Sequence, residues 1–151
     1  MNTVTCGGGA MTSTSARRAE DAGATPVLRS SFVTARYSRY RPEMGVPIRT
    51  SVGGCRFWKS RLYGPLQFAA SVAPYGAFRV TEDEDEYRVL YYARLNAHRD
   101  EALAELDLIA GGGTGALMCF CDLAKSWCHR RQLAEWIKRE TGLIVPEVSD
   151  A

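Results

Sequence analysis

Apolar residues recur along this chain at two spacings, and the switch between them maps its elements. Leu28 to Thr34, with Phe32 and Val33, is a β-favouring run and predicts a first strand. Tyr37 to Pro47 is interrupted by Pro42, Gly45 and Pro47 and reads as a loop. Ile48 to Val52 predicts a short strand closed by Gly53-Gly54, after which Leu66, Phe68, Val72 and Phe78 supply core from short pieces. The spacing then becomes helical. Thr81-Glu82-Asp83-Glu84 fits a capping box, and Tyr87, Leu90, Tyr91 and Leu95 form one stripe, predicting a helix over 81–95. A second helix is expected over 100–110, with Leu103 and Leu106 inward and Gly111-Gly112-Gly113 as its stop. Ala116 to Cys121 is a continuous apolar run, the signature of a strand buried in a parallel sheet. Leu133, Trp136 and Ile137 share a face of a last helix over 127–140, which Ser126 would cap and Gly142 end. The series reads as α/β, without an internal repeat.

Composition narrows the class. The chain has 151 residues, 46% hydrophobic and 24% charged, with a formal net charge of +2. That length buries roughly two-thirds of its unfolded surface, which excludes a disulfide mini-protein, a collagen-like repeat and a wholly disordered chain. No run approaches the roughly 18 apolar residues that span a bilayer, so no membrane partner is expected. Residues 1–26 are Gly/Ser/Thr-rich around Cys6-Gly7-Gly8-Gly9 and predict a disordered tail before a single domain over 27–151, with Met11 as an alternative start. The tail lacks the apolar core of a signal peptide, so a cytoplasmic location is the default. The small net charge hides two blocks. Residues 29–61 carry eight basic groups against Glu43 alone, and residues 79–107 carry four basic groups against nine acids. Lys59, Lys125 and Lys138 are the only lysines among 19 basic residues, an arginine excess that suits anion recognition and equally reflects codon bias.

Chemistry concentrates at Cys119-Phe120-Cys121-Asp122 and the following Ser126-Trp127-Cys128-His129-Arg130-Arg131. A buried strand runs out there into a helix start, the place where open α/β sheets bind ligands and where free amides attract anions. One reading is a phosphate or carboxylate site from the helix N-terminus, His129 and Arg130, with a thiol whose pKa the environment lowers. A second is a metal site from Cys119, Cys121, Cys128 and His129. The spacing speaks against it: the first two point to one face of a strand, while the last two diverge by about 100° on a helix. No metal and no cofactor are therefore expected. A third is purely structural, since buried cysteines fill cores well. His98, between two predicted helices, reads as a surface loop histidine.

The series from Val33 through Arg36-Tyr37-Ser38-Arg39 to Gly53, then Arg56-Phe57-Trp58, Ala73-Pro74-Tyr75-Gly76, the Cys-His-Arg turn and Thr141 to Glu147, resembles the family catalogued as domain of unknown function 488. It is most similar to the branch of this length common in high-GC Gram-positive bacteria and their phages. The likeness runs from Leu28 to Val148. It implies a single-domain, Rossmann-like layered sheet with flanking helices, with Cys119, Cys128, His129 and Arg130 at one end. Arg36 and Ser38 are the implied early partners, with Arg39 competing for the role. Two departures stand out: Cys121 replaces an acidic residue, and Cys55 often a proline. The resemblance implies a fold and a site rather than a reaction.

Three functions follow as expectations. The first is binding, with processing as its extension, of a small phosphorylated or nucleotide-like anion. Arg36, Ser38 and Arg130 would hold it, Cys119 or Cys128 attack, and His129 serve as acid–base near neutral pH. The second is nucleic-acid binding by residues 29–63, where Tyr37, Tyr40, Phe57, Trp58 and Tyr63 interleave with arginines. The third is a non-catalytic interaction module with unreactive cysteines.

Overall fold

Four parallel strands make the frame: β1 (Ser31–Arg36), β2 (Val46–Arg49), β3 (Gln67–Phe68) and β4 (Thr114–Cys119), in the order β1-β4-β2-β3. The computed structural model describes residues 28–148; the expected tail 1–26, with Cys6 and Met11, and residues 149–151 lie outside them. The helices are α1 (Ser60–Tyr63), α2 (Glu84–Ala97), α3 (Arg99–Ala110) and α4 (His129–Thr141). This is a layered α/β fold consistent with a Rossmann-like layout. Among the described residues no helix is long and apolar enough to cross a membrane.

Side-chain alternation sends each strand's residues to two different cores. Phe32, Ile48 and Leu117 meet Tyr91 and Leu95 of α2, Leu103 and Leu106 of α3, and Trp136 and Ile137 of α4. Ala35, Ala116 and Met118 face the other way, onto Tyr37, Tyr40 and Met44, with Trp58 and Tyr63 against them. Strand β4, central and covered on both faces, is buried from Gly115 to Cys119, which is why it reads as an unbroken apolar run. Gly115 lets the neighbours close in there: a Cβ would lie 2.7 Å from Ile48 Cδ1 and 3.1 Å from Phe32 Cδ1, so those side chains would have to shift.

Several boundaries differ from the sequence expectation, each for a local reason. Helix α2 starts at Glu84 because Asp83, not Thr81, accepts from the Glu86 amide; Thr81 Oγ1 instead accepts from Asp83 N. Helix α4 starts at His129, capped by the Cys128 sulfur and not by Ser126. Strand β1 runs from Ser31 to Arg36, two residues past Thr34, because parallel pairing with β4 continues to Arg36–Cys119. Strand β4 begins at Thr114 and stops at Cys119, so Cys121 lies in the loop beyond it. Strand β2 includes Pro47, a residue that an interior strand normally refuses. Its pairing with β3 covers only Ile48 and Arg49, and the Arg49 carbonyl accepts from Ala69 on that side. Pro47, two residues earlier, therefore faces the side where β2 has no strand to donate to.

Candidate functional site

At their carboxyl ends β2 and β4 open into a cleft of about 480 Å³. Ser51 to Gly53 follow β2 on one wall, and Phe78, Arg79 and Glu82 come from the loop before α2. Tyr87 and Trp127 pack edge to face at 4.8 Å on the helical side. The floor holds Cys119, Cys121, Cys128 and His129.

Each floor residue is placed by the element it ends or begins. Cys119 is the last residue of β4 and is buried, as is Cys128, the N-cap of α4. Cys128 has extended dihedrals, φ −148° and ψ 146°, so its sulfur turns back to accept from the Arg130 amide at 3.5 Å. That geometry removes the divergence expected of two helical neighbours. Cys119 Sγ, Cys128 Sγ and a ring nitrogen of His129 lie within 4.8 Å of one another. Three residues of the C-x-C-x6-C-H pattern thus converge, contrary to the spacing argument. The fourth, Cys121, half-buried in the loop beyond β4, lines the same cleft.

His129 is fixed from behind. Its Nε2 donates to the Thr50 carbonyl at 3.1 Å, which leaves the Nδ1 lone pair facing Cys128 Sγ at 3.8 Å. Thr50 is itself pinned to β4, its hydroxyl donating to the Met118 carbonyl at 2.8 Å. Burial lowers the His129 pKa to about 4, so the ring is neutral at pH 7 and its titration lies well below the expected neutral range.

Arg130 does not line the cleft. Its side chain is fully buried, pairing with both carboxylate oxygens of Glu147 (Nε at 3.0 Å, Nη2 at 2.8 Å). The remaining nitrogen, Nη1, donates to Cys119 Sγ at 3.0 Å and to the Cys121 carbonyl at 2.8 Å. Arg130 is a positioning residue for the sulfurs rather than a ligand hand. Burial acts against its charge, and the Glu147 carboxylate outweighs it and raises its pKa. Thr34 in turn holds Glu147, donating to its carboxylate at 2.6 Å while accepting from Arg131 at 2.7 Å.

Among the three thiols ionisation is uneven. Hydrogen bonds from Cys119 and then Cys128 favour the Cys121 thiolate and hold its pKa far below the ordinary thiol value. Burial pushes Cys119 up to about 11, and the bonds Cys128 makes to Cys119 and Cys121 keep its proton in place. Chemically the floor offers three thiols and a neutral imidazole, a set suited to nucleophilic attack or to soft-metal ligation.

The early partners lie outside the cleft wall. Arg36 Nη1 is 3.5 Å from Asp122 Oδ2, and Ser38 is exposed in a single 3-10 turn, Tyr37–Arg39. Arg39 is exposed in the same turn. The cation on the cleft rim is instead Arg79, with φ 64°, the one non-glycine residue of positive φ among the described residues. It has no carboxylate within ion-pair distance among them, and its guanidinium lies 5.2 Å from the Phe78 ring centroid. The sequence singled out neither Arg79 nor Glu147. Arg79 carries no motif, and Glu147 acts from a segment that meets β1 only in the fold, through Thr34. His98, the other histidine, is exposed beside Glu101. Comparison of the chain with family models, with curated proteins and with solved structures found no match to any.

Proposed function

We propose that this chain binds a small phosphorylated or nucleotide-like anion in the cleft beyond β2 and β4, at the end of the sheet where its resemblance to the domain of unknown function 488 family implies a site. The reading rests on one observation above others. Arg79, which has no carboxylate partner among the described residues, stands on the rim of a cleft with aromatic walls and a floor of thiols and an imidazole. A volume of about 480 Å³ is in the range of small-ligand sites. Phe78, Phe120 and Trp127 supply flat apolar surface for a planar group, and Arg79 supplies a planar fork for the anion. Glu82 offers an acceptor for ligand hydroxyls. The anion-holding role expected of Arg36 and Arg130 passes to Arg79, because both of those guanidinium groups already face carboxylates.

The test is calorimetric titration of the full chain with a panel of nucleoside monophosphates, sugar phosphates and inorganic phosphate. At least one organic member is expected to bind saturably, with Arg79→Gln weakening it by about tenfold or more, the loss of one charge-assisted pair. Arg41→Gln, in the connection between β1 and β2 and away from the cleft, leaves it unchanged. No saturable binding by any member, or binding indifferent to Arg79→Gln, overturns the proposal.

A further inference from the structure

We propose that Cys119, Cys121, Cys128 and His129 form a four-ligand site for one Zn²⁺ ion, seated between the end of β4 and the N-cap of α4. The inference is independent of the anion reading, since Arg79 takes no part in it.

Distance carries the first argument. A tetrahedral zinc with Zn–S near 2.3 Å and Zn–N near 2.0–2.1 Å has ligand-to-ligand edges of about 3.5–3.8 Å. Cys128 Sγ and His129 Nδ1 are already 3.8 Å apart, and three of the ligand atoms fall within 4.8 Å of one another. Shifts on the order of 1 Å close the set. Cys121, in the loop two residues beyond Cys119, lines the same open cleft as the other three, and its thiol completes the set on the side from which the ion enters.

The surrounding groups prepare the ligands for that role. A ligating imidazole needs its second nitrogen anchored, and the Thr50 carbonyl does this at Nε2. Ligating sulfurs must be thiolates, and N–H groups that donate to sulfur favour that form. Arg130 brings such donors to two sulfurs, Nη1 to Cys119 and the amide to Cys128, while Glu147 holds the guanidinium in place. The ligand set is sulfur and imidazole without a carboxylate, which selects a soft or borderline cation over Mg²⁺ or Ca²⁺.

The experiment uses the full chain, reduced and stripped with a chelator, titrated with Co²⁺ and then Zn²⁺. One equivalent of Co²⁺ is expected to produce thiolate-to-cobalt charge transfer and the intense red-region bands of tetrahedral cobalt, and one equivalent of Zn²⁺ to abolish both. Cys121→Ser removes one of three thiolates and with it roughly a third of the charge-transfer absorption. Cys55→Ser, outside the cluster, leaves the spectrum intact. The wild-type titration needs no variant to fold. Absence of tetrahedral bands, a spectrum unchanged by Cys121→Ser, or a disulfide joining two of the three cysteines in protein isolated without reductant each overturns the proposal. Arg79→Gln is expected to take up cobalt like the wild type, so failure of anion binding and failure of metal binding are separately visible.

Discussion

A guanidinium with none of its side chain exposed survives in this core because every direction it points in is answered. Arg130 meets a carboxylate on one edge and a sulfur and a carbonyl on the other. Removing one partner of a buried pair leaves the other charge without compensation, at a cost of about 3–5 kcal/mol. Glu147→Ala is therefore expected to destabilise the chain by about that amount in denaturant titration. Glu147→Gln, which keeps one acceptor oxygen, costs less. A change within about 0.5 kcal/mol for Glu147→Ala would mean that the pair does not hold Arg130. The same residue shows what the sequence conceals at this scale. Cys128-His129-Arg130 was visible as a motif, but which of the three faces a ligand depends on Glu147 and Thr50, distant in sequence and adjacent only through the sheet.

At the scale of elements, helices were the more legible. Their 3.6-residue stripes placed Tyr87, Leu90, Tyr91 and Leu95 on α2 and Leu133, Trp136 and Ile137 on α4, and all are buried except Leu90, which is half-buried. What the stripe does not contain is the cap. Thr81 and Ser126 fit as well on paper as Asp83 and Cys128, and backbone dihedrals decide between them. That two-residue shift at α4 matters beyond the boundary, because it turns Cys128 out of the helix and toward Cys119. Strand β3, two residues long, leaves no periodic trace. One contact between elements has a pH consequence. Arg99, at the start of α3, donates to Glu140 near the end of α4 at 2.6 Å, and this bond lowers the Glu140 pKa from its ordinary 4.5. Below that value the unfolded chain takes up a proton that the folded chain does not. The stabilisation is complete above about pH 4.5 and is lost as pH falls through the lower folded value. Arg99→Gln should reduce the difference in stability between pH 6 and pH 3; an unchanged difference would mean the contact does not couple the two helices.

For the molecule as a whole, the uneven charge invites a polyanion, and the packing answers it. The basic half of the chain supplies β1, β2 and the aromatic second core, and the acidic half supplies α2 and α3, joined by a pair between Arg29 and Asp107 at 3.7 Å. Gripping a single strand requires exposed rings on which bases can stack as well as cations to follow the backbone. Tyr37 and Tyr40 are only 4% and 7% exposed, and Trp58 lies 5.1 Å from the Tyr40 ring, so these rings are spent on one another. Phe57 alone of the five is well exposed. Cations without stacking give contacts to phosphate that salt dissolves, since each released counterion steepens the loss of affinity. Fluorescence anisotropy with a labelled single-stranded oligonucleotide is accordingly expected to show weak association near 50 mM salt that vanishes by about 200 mM. Phe57→Ala should leave the low-salt association unchanged. Binding that persists at the higher salt and falls with Phe57→Ala would restore the basic segment as an interface, and the cleft beyond β4 would then no longer be the first place to look for a ligand.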